Sequence, residues 1–148
     1  MSFTHKTVQF LLRSGKFPGR DFFIEKLPRW FIKPTSDKVV VKTRFGFSIE
    51  VDPSFDANIE NVIYQRGVYE YGTLAFVQEY LNEGDTFVDA GANIGFLSLA
   101  AASTVGFSGN VYAFEPVPST FEILEKNKTL NQFDHMHLSS KGLGNEAT

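Results

Sequence analysis

The sequence predicts an α/β fold that contains the first βαβαβ half of a doubly wound parallel sheet. Two observations support this prediction. Strand-like and helix-like segments alternate from residue 86 onward, and the glycine-containing turn DAGANIG, residues 89–95, joins the first of these strands to a helix. Right-handed crossovers between such strands produce a parallel sheet. Ligands of open α/β sheets bind beyond the carboxyl ends of the strands, so this turn is the candidate site.

The elements of this half follow from the local residue patterns. We predict strands over residues 86–90, 110–115 and 135–139, the last of them weak, and helices over residues 96–103 and 119–131. Pro116 and Pro118 close the second strand, because proline cannot donate to a sheet. The sequence Ser-Thr-Phe-Glu at 119–122 matches a capping box and predicts that the second helix begins there.

The preceding residues predict a β-hairpin and a lead-in helix. Phe47, Ile49 and Val51 alternate with polar residues, which is typical of a strand, and the residues 44–46 provide the bend. A helical pattern then runs from Thr73 to residue 82. We therefore divide the chain into a basic, aromatic-rich helical segment at 1–38, the hairpin and lead-in helix at 39–83, and a truncated Rossmann-like half-domain at 84–148.

Charge is distributed unevenly along the chain. Residues 1–44 contain ten of the 14 Lys and Arg residues but three of the 17 Asp and Glu residues, which leaves +7 there and −10 in the remainder. The basic segment is also rich in aromatic residues and could contact an anionic partner or a membrane surface. We favour a helical appendage whose apolar side packs on the body, because prolines at 18, 28 and 34 interrupt the segment.

Composition excludes several classes of site. The chain has no cysteine, so it has no disulfide framework, thiol nucleophile or thiolate metal site. Its three histidines have no spacing with carboxylates that indicates a metal site, so we predict no metal. The apolar run 8–12 is too short for a signal-peptide core or a transmembrane segment. We predict a cytoplasmic protein.

The glycine turn has the features of a cofactor-binding loop. Gly91 allows a sharp bend after the strand, and Gly95 lets the helix begin close to the sheet with free N–H groups facing the ligand. The turn lacks the middle glycine of the dinucleotide motif Gly-x-Gly-x-x-Gly and the lysine of a phosphate-binding loop. Both glycines could instead have a purely structural role, which we regard as the weaker interpretation.

Two acids narrow the choice of ligand. Glu115 ends the second strand, 26 positions after Asp89, where a carboxylate can hold a ribose diol. Asp89 stands two residues before Gly91, where it would repel a pyrophosphate and attract an ammonium or sulfonium group. S-adenosylmethionine carries both cations, so it is the predicted cofactor. Asp89 could alternatively cap backbone N–H groups, and Asn93 could either adopt a left-handed backbone or contact the methionine end.

At these residues the sequence resembles the FkbM-type S-adenosylmethionine-dependent methyltransferases. The resemblance rests on VDAGANIGFLSLAA, on VYAFEPVPSTFEILEKNKTLN and, more weakly, on the sequence around residues 39–70 and KGLGNEA near the end. It implies a class I methyltransferase fold and methyl transfer to a hydroxyl of a sugar or natural product. It also implies that Tyr69 and Glu70 line the cofactor pocket and that Leu143 contacts the adenine. The predicted cofactor-binding residues are Tyr69, Glu70, Asp89, Gly91, Ala92, Asn93, Gly95, Glu115, Pro116 and Leu143; no catalytic residue is assigned.

The resemblance also implies that later strands complete the pocket. We expect the chain to be a fragment that is inactive alone, with a glycan or small-molecule hydroxyl as acceptor, no nucleic-acid partner and no transmembrane segment. The third strand would leave an unpaired sheet edge through which the chain could self-associate. Two alternatives stay open: an NAD-dependent oxidoreductase, which shares the strand, turn and ribose acid, and a non-catalytic adenosyl-binding remnant.

Overall fold

A computed structural model describes residues 37–55 and 59–145. The predicted basic segment at 1–38 therefore lies almost entirely outside the described residues. The described residues form two compact units, one containing 37–44, 50–55 and 59–69 and the other containing 45–49 and 70–145. The predicted site falls largely in the second unit.

The first unit contains strand β1 (Val39–Lys42) and helix α1 (Glu60–Arg66). Strand β2 (Ser48–Val51), whose residues are divided between the units, forms a two-stranded sheet with β1. In α1, Ile63 and Tyr64 are fully buried, and the helix ends at Gly67, which has a left-handed backbone. The sequence did not predict α1, because seven residues form a stable helix only when tertiary contacts bury one side.

The second unit contains the parallel sheet that the sequence predicted. Its strands are β3 (Thr86–Ala90), β4 (Asn110–Phe114) and β5 (Met136–Ser139), in the spatial order β3-β4-β5. Asp89 pairs with Ala113 in the register of the first two strands. Because both pairs are parallel, the carboxyl ends of the three strands lie at one edge of the sheet. The α/β prediction is thereby confirmed.

Three helices accompany this sheet: α2 (Tyr71–Tyr80), α3 (Phe96–Val105) and α4 (Pro118–Asn131). Helix α3 is rich in alanine and leucine, and seven of its ten residues are buried. Leu124 of α4 packs with Ala92 and Ala113, and Phe121 and Leu138 cover this cluster. Small residues on the loop and strand therefore let α4 approach the sheet beside the glycine turn.

The start of α4 differs from the prediction. The helix begins at Pro118 with Val117 as its N-cap, and no side chain caps it, so the capping box predicted from Ser119 is wrong. Proline is favoured in the first helical turn because its missing N–H would have had no partner there. The carbonyl of Val117 accepts the N–H groups of Thr120 and Phe121, which starts the helix one residue earlier.

Asn131, the last residue of α4, connects the helix to Ser48. Its side-chain amide donates to the carbonyl of Ser48 and accepts the N–H of Ser48, both at 2.7 Å. The same amide donates to the carbonyl of Asn127 one turn earlier in the helix. One side chain therefore satisfies both backbone groups of a residue at the start of β2.

One face of the parallel sheet is exposed in the described residues. Val88, Tyr112 and His137 are adjacent in the strand register and all lie on this face. The rings of Tyr112 and His137 stack with their centres 4.8 Å apart. The opposite face contains Val111 and Ala113, which are fully buried. The sheet is thus covered on one side by the helices described above.

Candidate functional site

The glycine turn, residues 91–95, connects the carboxyl end of β3 to α3. Three of its residues have positive φ angles: Gly91 at 87°, Asn93 at 51° and Gly95 at 96°. The side chain of Asn93 accepts the N–H of Ile94 at 2.7 Å, which is a local bond that suits asparagine in a left-handed conformation. Alternating handedness folds the turn tightly against the end of the strand.

Every backbone N–H of this turn has a partner within the chain. The N–H groups of Gly91 and Ala92 both donate to the carbonyl of Phe114 at 2.9 Å, and Gly95 donates to Ala92. The N–H of Asn93 donates to the Glu115 carboxylate. The N–H groups of residues 91–95 are therefore not free donors for a ligand, because acceptors within the turn and at the end of β4 occupy them. The free N–H groups predicted at the start of α3 stay a prediction.

Glu115 lies at the centre of the connection between the turn and β4. Its side chain is 6% exposed, its Oε2 accepts the N–H of Asn93, and its Oε1 accepts the N–H of Val117, each at 2.9 Å. Its own N–H donates to the carbonyl of Ser139 at the end of β5. One carboxylate therefore joins two loops, and each of its oxygens retains one lone pair for a further donor.

Asp89 lies near the end of β3 and is half-buried. Its Oδ2 accepts the hydroxyl of Ser98 at 2.5 Å. Burial raises the pKa of the Asp89 carboxyl above its ordinary value, the Ser98 hydrogen bond opposes this, and the negative charges of Glu70 and Glu115 raise it further. The charges of Glu70 and Glu115 therefore act on Asp89 at the carboxyl edge of the sheet, where a cation would relieve the repulsion.

The two glycines occupy different surroundings. A Cβ at Gly95 would lie 2.6 Å from Cδ1 of Leu124, so this glycine allows α4 to approach the turn. A Cβ at Gly91 would meet no atom within 4 Å. Gly91 therefore borders open space on the side of the turn where a ligand could approach, whereas Gly95 is required for packing. The methyl of Ala92 belongs to the buried cluster around Leu124.

The remaining predicted cofactor contacts lie on the loop after β4, on the segment after β5 and on the residues before α2. A Cβ at Gly142 would lie 3.8 Å from Cβ of Pro116, so the segment that carries Leu143 passes beside the loop after β4. Leu143 is 59% exposed. Glu70 precedes α2 with a left-handed backbone. Tyr69 belongs to the first unit, so its place in the pocket stays a prediction.

Two residues of the site were missed by the sequence analysis. Ser98 is fully buried in the first turn of α3, where it binds Asp89. Asn127 is fully buried in α4 and donates from its side chain to the carbonyl of Ile94 at 3.0 Å. Helical spacing places Asn127 three residues after the core residue Leu124, so it could have been assigned to the inner face. Within residues 37–55 and 59–145, no group of three potential ligands could hold a metal ion.

Comparisons with known proteins establish the fold. No family model matches the chain, so the FkbM resemblance is not supported by one, and no curated protein matches. Several solved structures match. The structure of P. horikoshii TYW2 in complex with MeSAdo is 24% identical with a TM-score of 0.52, over 73% of this chain and 37% of that one. The SAM-dependent methyltransferase from Agrobacterium tumefaciens is 11% identical with a TM-score of 0.52, over 75% and 34%.

A third match corrects one prediction. The complex of aTrm5 with tRNALeu is 21% identical with a TM-score of 0.50, over 74% of this chain and 30% of that one. Excluding a nucleic-acid partner was therefore wrong, because a protein with this fold is seen with tRNA bound. Among the described residues no helix has the length and apolarity to cross a membrane.

This chain corresponds to only part of each solved structure. The chain spans about a third of the length of the three structures. Two of these matches cover 73% and 75% of this chain, and the parallel sheet of the described residues agrees with the fold predicted from the glycine turn and the strand alternation. The described chain therefore has the α/β fold of the class I methyltransferases.

Proposed function

We propose that this chain binds S-adenosylmethionine and forms the cofactor-binding part of a methyltransferase. The observation that carries this proposal is the glycine turn, whose five N–H groups all bond within the chain while Asp89 and Glu115 flank it. Such a turn offers acceptors and negative charge to a ligand. The S-adenosylmethionine dependence of a structural neighbour supports the same ligand.

The same observation disfavours a dinucleotide or a phosphate ligand. Phosphate-binding turns at helix N-termini use backbone N–H groups that have no other partner. In this turn the N–H groups of residues 91–95 are occupied, and Asp89 adds a negative charge close by. A pyrophosphate would therefore meet repulsion from Asp89 without hydrogen bonds from the N–H groups of residues 91–95. An NAD-dependent oxidoreductase, which the strand, the turn and the ribose acid had left open, is therefore the weaker alternative.

The residues present fit the proposed cofactor. Glu115 keeps lone pairs on both oxygens, so it can accept the two hydroxyls of a ribose while it holds the turn. Asp89 would attract the ammonium or sulfonium group. Gly91 borders the open side of the turn, where a larger side chain would obstruct the ligand. Asn93, Pro116 and Leu143 are further candidate contacts, as predicted from the sequence.

The chemistry proposed for the complete protein is methyl transfer to an oxygen. S-adenosylmethionine, when bound, supplies a methyl group activated by its sulfonium, and the protein's task is to hold the acceptor in line behind that methyl. We place the acceptor among hydroxyls of sugars or natural products, and this choice rests on the FkbM resemblance. No residue is assigned as the base that accepts the proton.

Equilibrium binding tests the cofactor. Isothermal titration calorimetry with S-adenosylhomocysteine, S-adenosylmethionine and NAD⁺ should give binding to the first two ligands and none to the third. The variant Glu115→Gln should weaken the binding, while Glu122→Gln, at an exposed position on α4, should leave it unchanged. Binding of NAD⁺ in preference to the adenosyl ligands would overturn the proposal.

Transfer of labelled methyl groups tests the acceptor. A panel of glycans, hydroxylated small molecules and tRNA would be incubated with the complete protein and labelled cofactor. Label on a glycan or small-molecule hydroxyl supports the proposed acceptor, and label confined to tRNA contradicts it. Tight cofactor binding by the complete protein with no transfer to any member of the panel would instead support the non-catalytic remnant.

A further inference from the structure

Ser98 has no role in the proposed function as argued so far. It lies in the first turn of α3 and is fully buried. Its hydroxyl donates to Oδ2 of Asp89 at 2.5 Å. A buried residue of the helix thus directs its side-chain donor at the acid that is proposed to attract the ligand's positive charge.

The other surroundings of Asp89 act against its charge. Burial favours the neutral acid, and the two charged groups that act on it, Glu70 before α2 and Glu115 after β4, are both negative. The Ser98 hydroxyl favours the ionised carboxylate, because a hydrogen bond to a charged acceptor is stronger than one to a neutral acceptor. The protonation state of Asp89 is therefore a balance in which Ser98 supplies the opposing contribution.

We propose that Ser98 is a positioning residue that holds the Asp89 carboxylate ionised and in one orientation, and thereby sets the pH range over which the glycine turn binds a cationic ligand. The inference rests on the proposed function, since it assumes that the turn binds an adenosyl ligand with a positive charge. Ser98 itself need not touch that ligand. Its effect is transmitted through the carboxylate to which its hydroxyl is bonded.

Removal of the Ser98 hydroxyl should change the protonation of Asp89. Without the hydroxyl, Asp89 remains in the same desolvated place beside two negative charges but loses one donor. The neutral acid then persists to higher pH, and the ligand loses its electrostatic partner over that additional range. A hydroxyl that only fills space would lower the affinity by the same factor at every pH.

Binding measured across pH separates these outcomes. Calorimetry with S-adenosylhomocysteine should show the midpoint of the affinity's pH dependence at higher pH in Ser98→Ala than in the wild type, with affinity recovering as the pH rises further. Ser103→Ala makes the same chemical change elsewhere on α3 and should follow the wild-type curve. An unshifted midpoint in Ser98→Ala, with or without a uniform loss of affinity, overturns the inference.

A ligand-free measurement distinguishes failure of this inference from failure of the proposed function. The ¹³C signal of the Asp89 carboxyl, followed by NMR across pH, should titrate at higher pH in Ser98→Ala than in the wild type. If the wild type binds no adenosyl ligand, the proposed function fails. If the titration of Asp89 is unchanged by the variant, the inference fails whatever the chain binds.

A second variant keeps the test decisive if Ser98→Ala does not fold. Ser98→Cys nearly preserves the size of the side chain and replaces the hydroxyl with a weak S–H donor. Its titration midpoint for Asp89 should lie above that of the wild type and below that of the alanine variant if the latter folds. A midpoint equal to that of the wild type would refute the role of the hydroxyl.

Discussion

The backbone N–H of Asn93 donates to the buried carboxylate of Glu115 at 2.9 Å, so the glycine turn is held by the residue proposed to bind the ribose. The other oxygen of this carboxylate accepts the N–H of Val117 at the start of α4. From the sequence, Glu115 was predicted only to contact the ligand. The structure adds a second role, because the turn and the loop after β4 lose their common acceptor when this side chain is removed.

Glu115→Ala should therefore reduce both stability and binding. Two part-buried N–H groups would lose a charged acceptor, which lowers the free energy of unfolding by about 2 to 4 kcal/mol. Chemical denaturation measures this change, and calorimetry with S-adenosylhomocysteine should show affinity at least about tenfold weaker. Glu122→Ala, on the exposed side of α4, is the control and should change stability by less than about 0.5 kcal/mol. Equal stability of the two variants would contradict the bridging role.

The two glycines of the turn should respond differently to alanine. Gly95→Ala introduces a Cβ 2.6 Å from Leu124 in a left-handed conformation, so we expect a loss of about 2 to 4 kcal/mol of stability. Gly91→Ala faces open space and should lose about 1 to 2 kcal/mol from backbone strain alone. Its larger effect should be on ligand binding. Denaturation midpoints that rank the two variants in the reverse order would refute this assignment.

Asp89→Asn should show how ionisation of Asp89 lowers the stability of the folded protein. Because the folded-state pKa of Asp89 is raised, its contribution to stability is fully present below the unfolded-state pKa and is lost as pH rises through the folded-state value. The asparagine variant should thus gain stability relative to the wild type as the pH rises from acid to neutral. Thermal unfolding at a series of pH values measures the difference. A difference independent of pH would show that Asp89 does not titrate in this way.

Asn127→Ala should loosen the turn from the side of α4. The substitution leaves the buried carbonyl of Ile94 without this donor, so we expect a loss of about 1 to 3 kcal/mol of stability. Hydrogen exchange should accelerate at the N–H groups of Asn93 and Gly95, which belong to the same turn. Lys126→Ala, at the neighbouring exposed position, should leave both measurements unchanged. Protection of the turn that survives in Asn127→Ala would argue against this contact as a support.

The sequence predicted the sheet well because its signals are local. The observed bounds of β3 equal the predicted 86–90, and α4 ends at the predicted residue 131. In both elements the spacing of the hydrophobic residues and the positions of the turn residues favour the structure that the fold adopts. The beginning of α4 was predicted one residue late, because the capping pattern at Ser119 competed with the preference of proline for the first turn.

The hydrogen bonds of the site could not be predicted in the same way. Whether the N–H groups of the turn are available depends on the position of the Phe114 carbonyl and the Glu115 carboxylate, which the sheet register fixes. Ser98 and Asn127 look like ordinary helical polar residues in the sequence. Their importance follows from complete burial, which requires the packed structure.

The bonds between Asn131 and Ser48 also determine the order in which the chain can complete its structure. The two residues are 83 positions apart, so the backbone groups of Ser48 have no side-chain partner at that position until α4 has been made. At ribosomal rates of about 5 to 20 residues per second, that interval lasts roughly 4 to 17 s. During synthesis, the hydrogen bonds of Ser48 to Asn131 can therefore form only after the glycine turn and α4 have left the ribosome.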